Sequence, residues 1–194
     1  MHPKCSRPND DKFLTVRKGR FRKGVTVRPT RFVHGRTTGN YRCMMVDEKV
    51  LSDGVFVFND NLFQFLSFLN TKQPDMAGGG TAVVRTIQHE GHAIGIPTGP
   101  FTSLDEIFHN ISFPEDKGVS KTRTAREIID RSFQQIIERI LTFPEKTVIY
   151  YSANTDNDNI GLGIFANVVG QDVVEYITEK LKNLPQAVEK ERYP

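Results

Sequence analysis

Gly78-Gly79-Gly80, followed by Thr81-Ala82-Val83-Val84-Arg85, is the stretch of this chain best suited to binding an anion. Glycines carry no Cβ, so the backbone can turn tightly and approach a ligand closely. A helix start directly after them aims N–H groups and partial positive charge outward, which suits a phosphate. The bland reading of the same residues is a flexible surface turn between a loop and a helix. Arg85 could clamp a phosphate or pair with an acid on the helix surface. A second glycine turn, Gly161-Leu162-Gly163 with Ile164 and Phe165 after it, stands late in the chain in the same kind of position. Two such turns side by side at one sheet edge could hold the two phosphates of a diphosphate. Asn59-Asp60-Asn61 closes an apolar run, Val55-Phe56-Val57-Phe58, at the place where open α/β sheets bind ligands. Thr98 and Ser152 end two further apolar runs, where a hydroxyl can donate to a ligand or cap a turn.

Other chemistries fit less well. Neither turn is Gly-x-Gly-x-x-Gly, and no Gly-Lys-Ser/Thr is present. His89-Glu90-Gly91-His92 spaces its histidines one residue too closely for His-Glu-x-x-His, and Gly91 interrupts a helix. Asn154-Thr155-Asp156-Asn157-Asp158-Asn159 lacks the glycine and glutamate of a calcium loop at the required offsets, so it reads as a polar loop. A nucleophilic role for Cys5 or Cys43 is not expected. No metal site and no cofactor is expected.

The elements that must position these residues follow from periodicity. Val55–Phe58 is continuously apolar, as in a strand buried on both faces of a helix-covered sheet. Leu62–Leu69 fits a short helix or a collapsed loop. Thr81–Gln88 has room for two helical turns, with Val83, Val84 and Ile87 on an apolar side, Arg85 on the other, and Gly91 at the end. Ala93–Ile96 is a short strand with Pro97-Thr98-Gly99-Pro100 as its exit turn. Residues 101–120 look irregular, with one helical turn near Leu104–Phe108. Ala125–Phe143 is the clearest helix, with Ile128, Ile129, Phe133, Ile136, Ile137 and Ile140 on one face. Thr124-Ala125-Arg126-Glu127 is a capping-box pattern at its start, and Pro144 stops it. Thr147–Ser152 is a further strand and Gln171–Leu184 the final helix, with the chain frayed from Pro185.

Phe13–Val16, Gly24–Val27 and Tyr41–Val46 read as short strands of a small antiparallel addition, and Pro29 as a turn. Whether this addition packs on the core is left open by the sequence. The predicted organisation is a basic N-terminal β extension over 1–50, an α/β domain over 51–186 and a tail over 187–194. The domain is expected to be three-layered around a mixed sheet.

At 194 residues, 38% hydrophobic and 25% charged, the composition is that of a globular protein able to bury a core without disulfides. The N-terminus has no apolar stretch after its charges, and two cysteines make no disulfide framework, so a cytoplasmic location is expected, with no membrane partner. The net charge of +3 hides an asymmetry. Residues 1–45 hold 12 lysines and arginines against two acids, a local +10, and the remainder carries 14 against 21, or −7. Residues 12–45 are therefore a candidate contact for nucleic acid or another polyanion, the alternative being a solvated hairpin that keeps the chain soluble.

Val57-Phe58-Asn59-Asp60-Asn61, Gly78–Arg85, Ala93–Thr98 and Gly161-Leu162-Gly163, in that order, resemble the blocks of a small group of macrodomain-like proteins common in phage and bacterial genomes. The resemblance spans roughly residues 51–184 and excludes the basic segment. It implies a macrodomain-like fold and binding of ADP-ribose or a related nucleotide, with hydrolysis of an ADP-ribosyl bond as the catalytic extension. On that resemblance Asn61 stands near the distal ribose, and Asp60 orients a ribose hydroxyl or the adenine. Asp60 or Asn61 would position the water for hydrolysis. Gly78, Gly79 and Gly80 would belong to the first phosphate-binding loop, and Gly161, Leu162, Gly163, Ile164 and Phe165 to the second. Asn59, Thr81, Arg85, Thr98 and Ser152 complete the expected ligand-binding set. The chain departs from the usual pattern in having Asn-Asp-Asn rather than Asn-Ala-Ala-Asn. A non-catalytic module binding nucleotide or nucleic acid through the basic segment is the competing expectation.

Overall fold

The computed structural model describes residues 14–15, 24–31, 41–73, 80–143, 147–154, 157–162 and 167–192. The unbroken apolar run forms β3 (Gly54–Asn61). Successive strand side chains point to opposite faces. Val55 and Val57 accordingly enter one core cluster, and Phe56 and Phe58 another. β7 (Thr147–Ala153) divides in the same way, with Ile149 and Tyr151 on the first side and Val148 and Tyr150 on the second. A sheet apolar on both faces has to be covered on both.

The central sheet has the order β1 (Leu14–Thr15), β2 (Val25–Arg31), β7, β3, β4 (Ala93–Gly99). Every neighbouring pair is parallel except β1 with β2 at the edge, so the sheet is mixed by that one short strand. One face is covered by α3 (Leu62–Thr71), α4 (Ala125–Leu141) and α5 (Gln171–Arg192). The other is covered by α1 (Tyr41–Met44), α2 (Glu48–Leu51) and a 3₁₀ helix, Gly80–Ile87. This is a three-layer α/β arrangement. α4 forms as its pattern predicts, with Ile128, Ile129, Phe133, Ile136 and Ile140 buried. Its capping box closes in both directions: Thr124 Oγ1 accepts from the Glu127 N–H at 3.3 Å, and Glu127 Oε2 accepts from the Thr124 N–H at 2.7 Å. Among the described residues no helix is long and apolar enough to cross a membrane.

Several elements differ from the sequence reading. Val25–Val27 does form a strand, but β2 runs on to Arg31 and lies parallel to β7 inside the main sheet, not in a separate antiparallel addition. Val25 and Val27 are core residues, so their burial outweighs the basic character of their surroundings. Pro29 lies within β2 beyond the stretch that β1 pairs, where a residue without an N–H is tolerated. Tyr41–Val46, expected as a strand, begins instead with α1. The helical turn puts Tyr41 and Met44 on one buried face, a spacing that alternation along a strand cannot provide. The segment expected to be irregular holds β5 (Ile107–Ile111), paired antiparallel with β6 (Lys121–Thr124). β4 continues through Thr98 to Gly99, because β3 supplies partners as far as Asn61. Residues expected as a frayed tail are helical: α5 carries Pro185 inside it, with Leu184 and Val188 buried. A proline inside a helix costs about 3 kcal/mol, which burial of the neighbouring apolar side chains offsets here.

Candidate functional site at the carboxyl edge of the sheet

The sheet opens at its carboxyl edge. β2 stays paired with β7 as far as Arg31 and Ala153, and β3 with β4 as far as Asn61 and Gly99. β3 and β7, however, pair only from Gly54 and Val148 to Val57 and Tyr151. Beyond that point the two halves fork. The chain leaving β7 turns back on itself, with the Asn154 N–H donating to Asn159 O at 2.8 Å. Ile160 then forms an antiparallel bridge to Ala153. β2 already occupies the other side of β7, so the returning residues enter the fork on the β3 side.

Asn59-Asp60-Asn61 sends three consecutive side chains to three different elements. Asn59 Nδ2 donates to Gly161 O at 2.6 Å, and the Gly161 N–H donates to Ser152 O at 2.8 Å. The late glycine turn is therefore stitched between β3 and β7 at its first residue. Asp60, on the opposite face, forms a buried ion pair with Arg85 of the 3₁₀ helix at 2.6 Å. Its Oδ1 also accepts from the Asn61 N–H at 2.9 Å. Asn61 is the N-cap of α3, its Oδ1 accepting from the Gln64 N–H at 2.8 Å.

The Asp60–Arg85 pair depends on two neighbours. Gly95 lies beneath the carboxylate: a Cβ there would stand 2.3 Å from Asp60 Oδ2. The Arg85 guanidinium packs over the Phe58 ring, 5.4 Å from its centroid. Arg85 was expected on the polar side of an α-helix, with a phosphate or a surface acid as its partner. It is buried because the segment winds as a 3₁₀ helix, where residues three apart share a side. Ala82, Arg85 and Gln88 are all buried at that spacing. Gly80 opens this helix at φ 58°, left-handed backbone that glycine adopts without strain.

A register shift lies beside these residues. Asp60 pairs with Pro97 and Asn61 with Gly99, so Thr98 is an extra, buried residue in β4. Such bulges re-aim side chains and bend a strand where pairing stops. Ser152 is buried at the end of β7, and Leu162 is a core residue rather than a surface member of a loop. Thr81 is half-buried and Gly80 exposed. Gly78, Gly79, Gly163, Ile164 and Phe165 lie outside the described residues. The structure thus brings Asn59, Ser152 and Gly161 together, and joins Asp60 to Arg85, while the Asn61 side chain serves α3.

Three residues of this edge escaped the sequence reading. Gly95 carries no signal beyond its type. Thr30, in a stretch read as a turn, donates its hydroxyl to Tyr151 O at 3.0 Å. Tyr41 reaches the fork from the face covered by α1, with its hydroxyl 2.7 Å from Val57 O and 2.9 Å from Tyr150 O. Burial raises the Tyr41 phenol well above its ordinary pKa.

The histidine cluster lies elsewhere. His92 Nδ1 is 3.2 Å from Gly54 O at the opposite end of β3, and His89 is half-exposed beside Glu90. Among the described residues no three His, Cys, Asp or Glu side chains group as metal ligands. The fold and edge define a three-layer α/β protein with a forked, mostly parallel sheet. Comparison with family models, with curated proteins and with solved structures gives no match in any of the three.

Proposed function

We propose that this protein is macrodomain-like and binds ADP-ribose or a related nucleotide diphosphate at the forked carboxyl edge. The observation that carries this reading is the divergence of Asn59 and Asp60. One ties the late glycine turn to the end of β3, and the other ties the helix that follows the triple glycine to the same point. Two glycine-rich turns anchored on one strand end are the arrangement a diphosphate needs, and the position outside the carboxyl ends of parallel strands is where such ligands bind. Binding is the core of this reading. Hydrolysis of an ADP-ribosyl bond is its catalytic extension, to be tested with Asp60→Ala and Asn61→Ala in a turnover assay.

The direct test is calorimetric titration with ADP-ribose, ADP and NAD, with Gly79→Glu as the control. Micromolar binding that the control abolishes supports the reading, and absence of binding to all three ligands overturns it. A second reading, contact with nucleic acid through residues 12–45, draws support from the +10 charge of residues 1–45. It predicts affinity for a DNA or RNA oligonucleotide that falls steeply with salt, whereas a small diphosphate in a glycine cradle responds mildly.

A further inference from the structure

Tyr41 stands at the branch point of the sheet. Its ring is almost fully buried and packs edge-on against Phe56 at 5.0 Å, and Phe56 in turn stacks on Tyr150 at 5.3 Å. The hydroxyl meets Val57 O and Tyr150 O where the β3–β7 ladder reaches its last pair. Val57 and Tyr151 form the last pair of that ladder, so the hydroxyl sits where pairing between the two strands stops. A phenol held in its neutral form by burial keeps the proton it donates. One hydroxyl therefore serves both arms of the fork at the level where the returning segment Ile160–Leu162 begins to fill it.

We infer that Tyr41 is a positioning residue for the late glycine turn: its hydroxyl fixes the separation of β3 and β7 at the branch, and so the distance between Asn59 and Ser152 that Gly161 has to bridge. The consequence for nucleotide binding rests on the reading proposed above, but the branch-point role does not. It follows from the register and these contacts alone.

Tyr41→Phe in the full chain keeps the aromatic packing and removes only the hydroxyl. Amide hydrogen exchange should then accelerate roughly five- to tenfold, the scale of one lost hydrogen bond, at Ser152 and Gly161, while Val55, Phe56 and Ile149 keep their rates. ADP-ribose affinity should fall by a similar factor. Unchanged exchange at Ser152 and Gly161 overturns the inference, and so does uniform acceleration across the sheet, which would make Tyr41 a packing residue only. Localised acceleration in a protein that binds no ADP-ribose would uphold the branch-point role and remove the nucleotide reading. If Tyr41→Phe does not fold, 3-fluorotyrosine at position 41 retains the hydroxyl as a stronger donor. Exchange at the same two amides should then slow, and unaltered rates overturn the inference.

Discussion

Asp60 and Arg85 lie 25 positions apart in sequence and meet under the sheet as a buried pair. Removing one partner of such a pair leaves a buried charge behind, at a cost of about 3–5 kcal/mol, while replacing both by apolar groups of similar volume is often close to neutral. Asp60→Leu and Arg85→Met should therefore each lower the urea midpoint strongly, and the double variant should be more stable than either single one. Losses that simply add would show that the two side chains do not act together. Asn61 tests differently, because its side chain caps α3. Asn61→Ala should cost about 1 kcal/mol, and Asn61→Asp, which keeps an acceptor oxygen at the cap, should restore most of it. An unchanged midpoint in Asn61→Ala would remove capping as the role of this side chain. The sequence presents Asn59, Asp60 and Asn61 as one polar cluster. The alternation of a strand and the turn into α3 then divide them among three elements.

The β5–β6 hairpin shows what governs a whole element when local pattern does not. Asp116 holds it together: the carboxylate takes Lys121 at 2.6 Å and Arg123 at 2.7 Å, and accepts from the Phe113 N–H at 2.9 Å. The Lys121 hydrogen bond first, then the Phe113 amide and Arg123, hold this carboxyl far below its usual pKa. A group depressed in the folded state stabilises fully above its unfolded pKa, about 3.9 for an aspartate, and loses that contribution as pH falls further. The gap in urea midpoint between the native chain and Asp116→Asn should thus stay level from pH 7 to about pH 5 and narrow below about pH 4. A gap already closing near neutrality contradicts this account. α4 needed no such contacts to be read correctly, because its isoleucine spacing and capping box are written in neighbouring residues. α1 and the end of α5 were misread because Tyr41 and Val188 take their conformation from the core they pack against.

On the scale of the molecule, Gly161 and the 3₁₀ helix opened by Gly80, 81 residues earlier, are tied to the same strand end because β3 lies between β7 and β4. No spacing in the chain encodes that neighbourhood. It arises because β7, made last, is inserted between β2 and β3. The basic N-terminal stretch illustrates the same limit. Its charge is legible residue by residue, yet Val25 and Val27 within it belong to the core of the sheet. The sequence by itself determined the apolar strands β3 and β7, the helix α4 with its cap, and the α/β class, since periodicity and capping depend on residues a few positions apart. It also marked out the polar and glycine-rich stretches where a ligand could bind. Only the tertiary structure decided the fork between β3 and β7, the burial of Arg85 against Asp60, and the Tyr41 hydroxyl at the branch. Those depend on strand order and on which surfaces the core must cover, and both are settled by contacts between residues far apart in the chain.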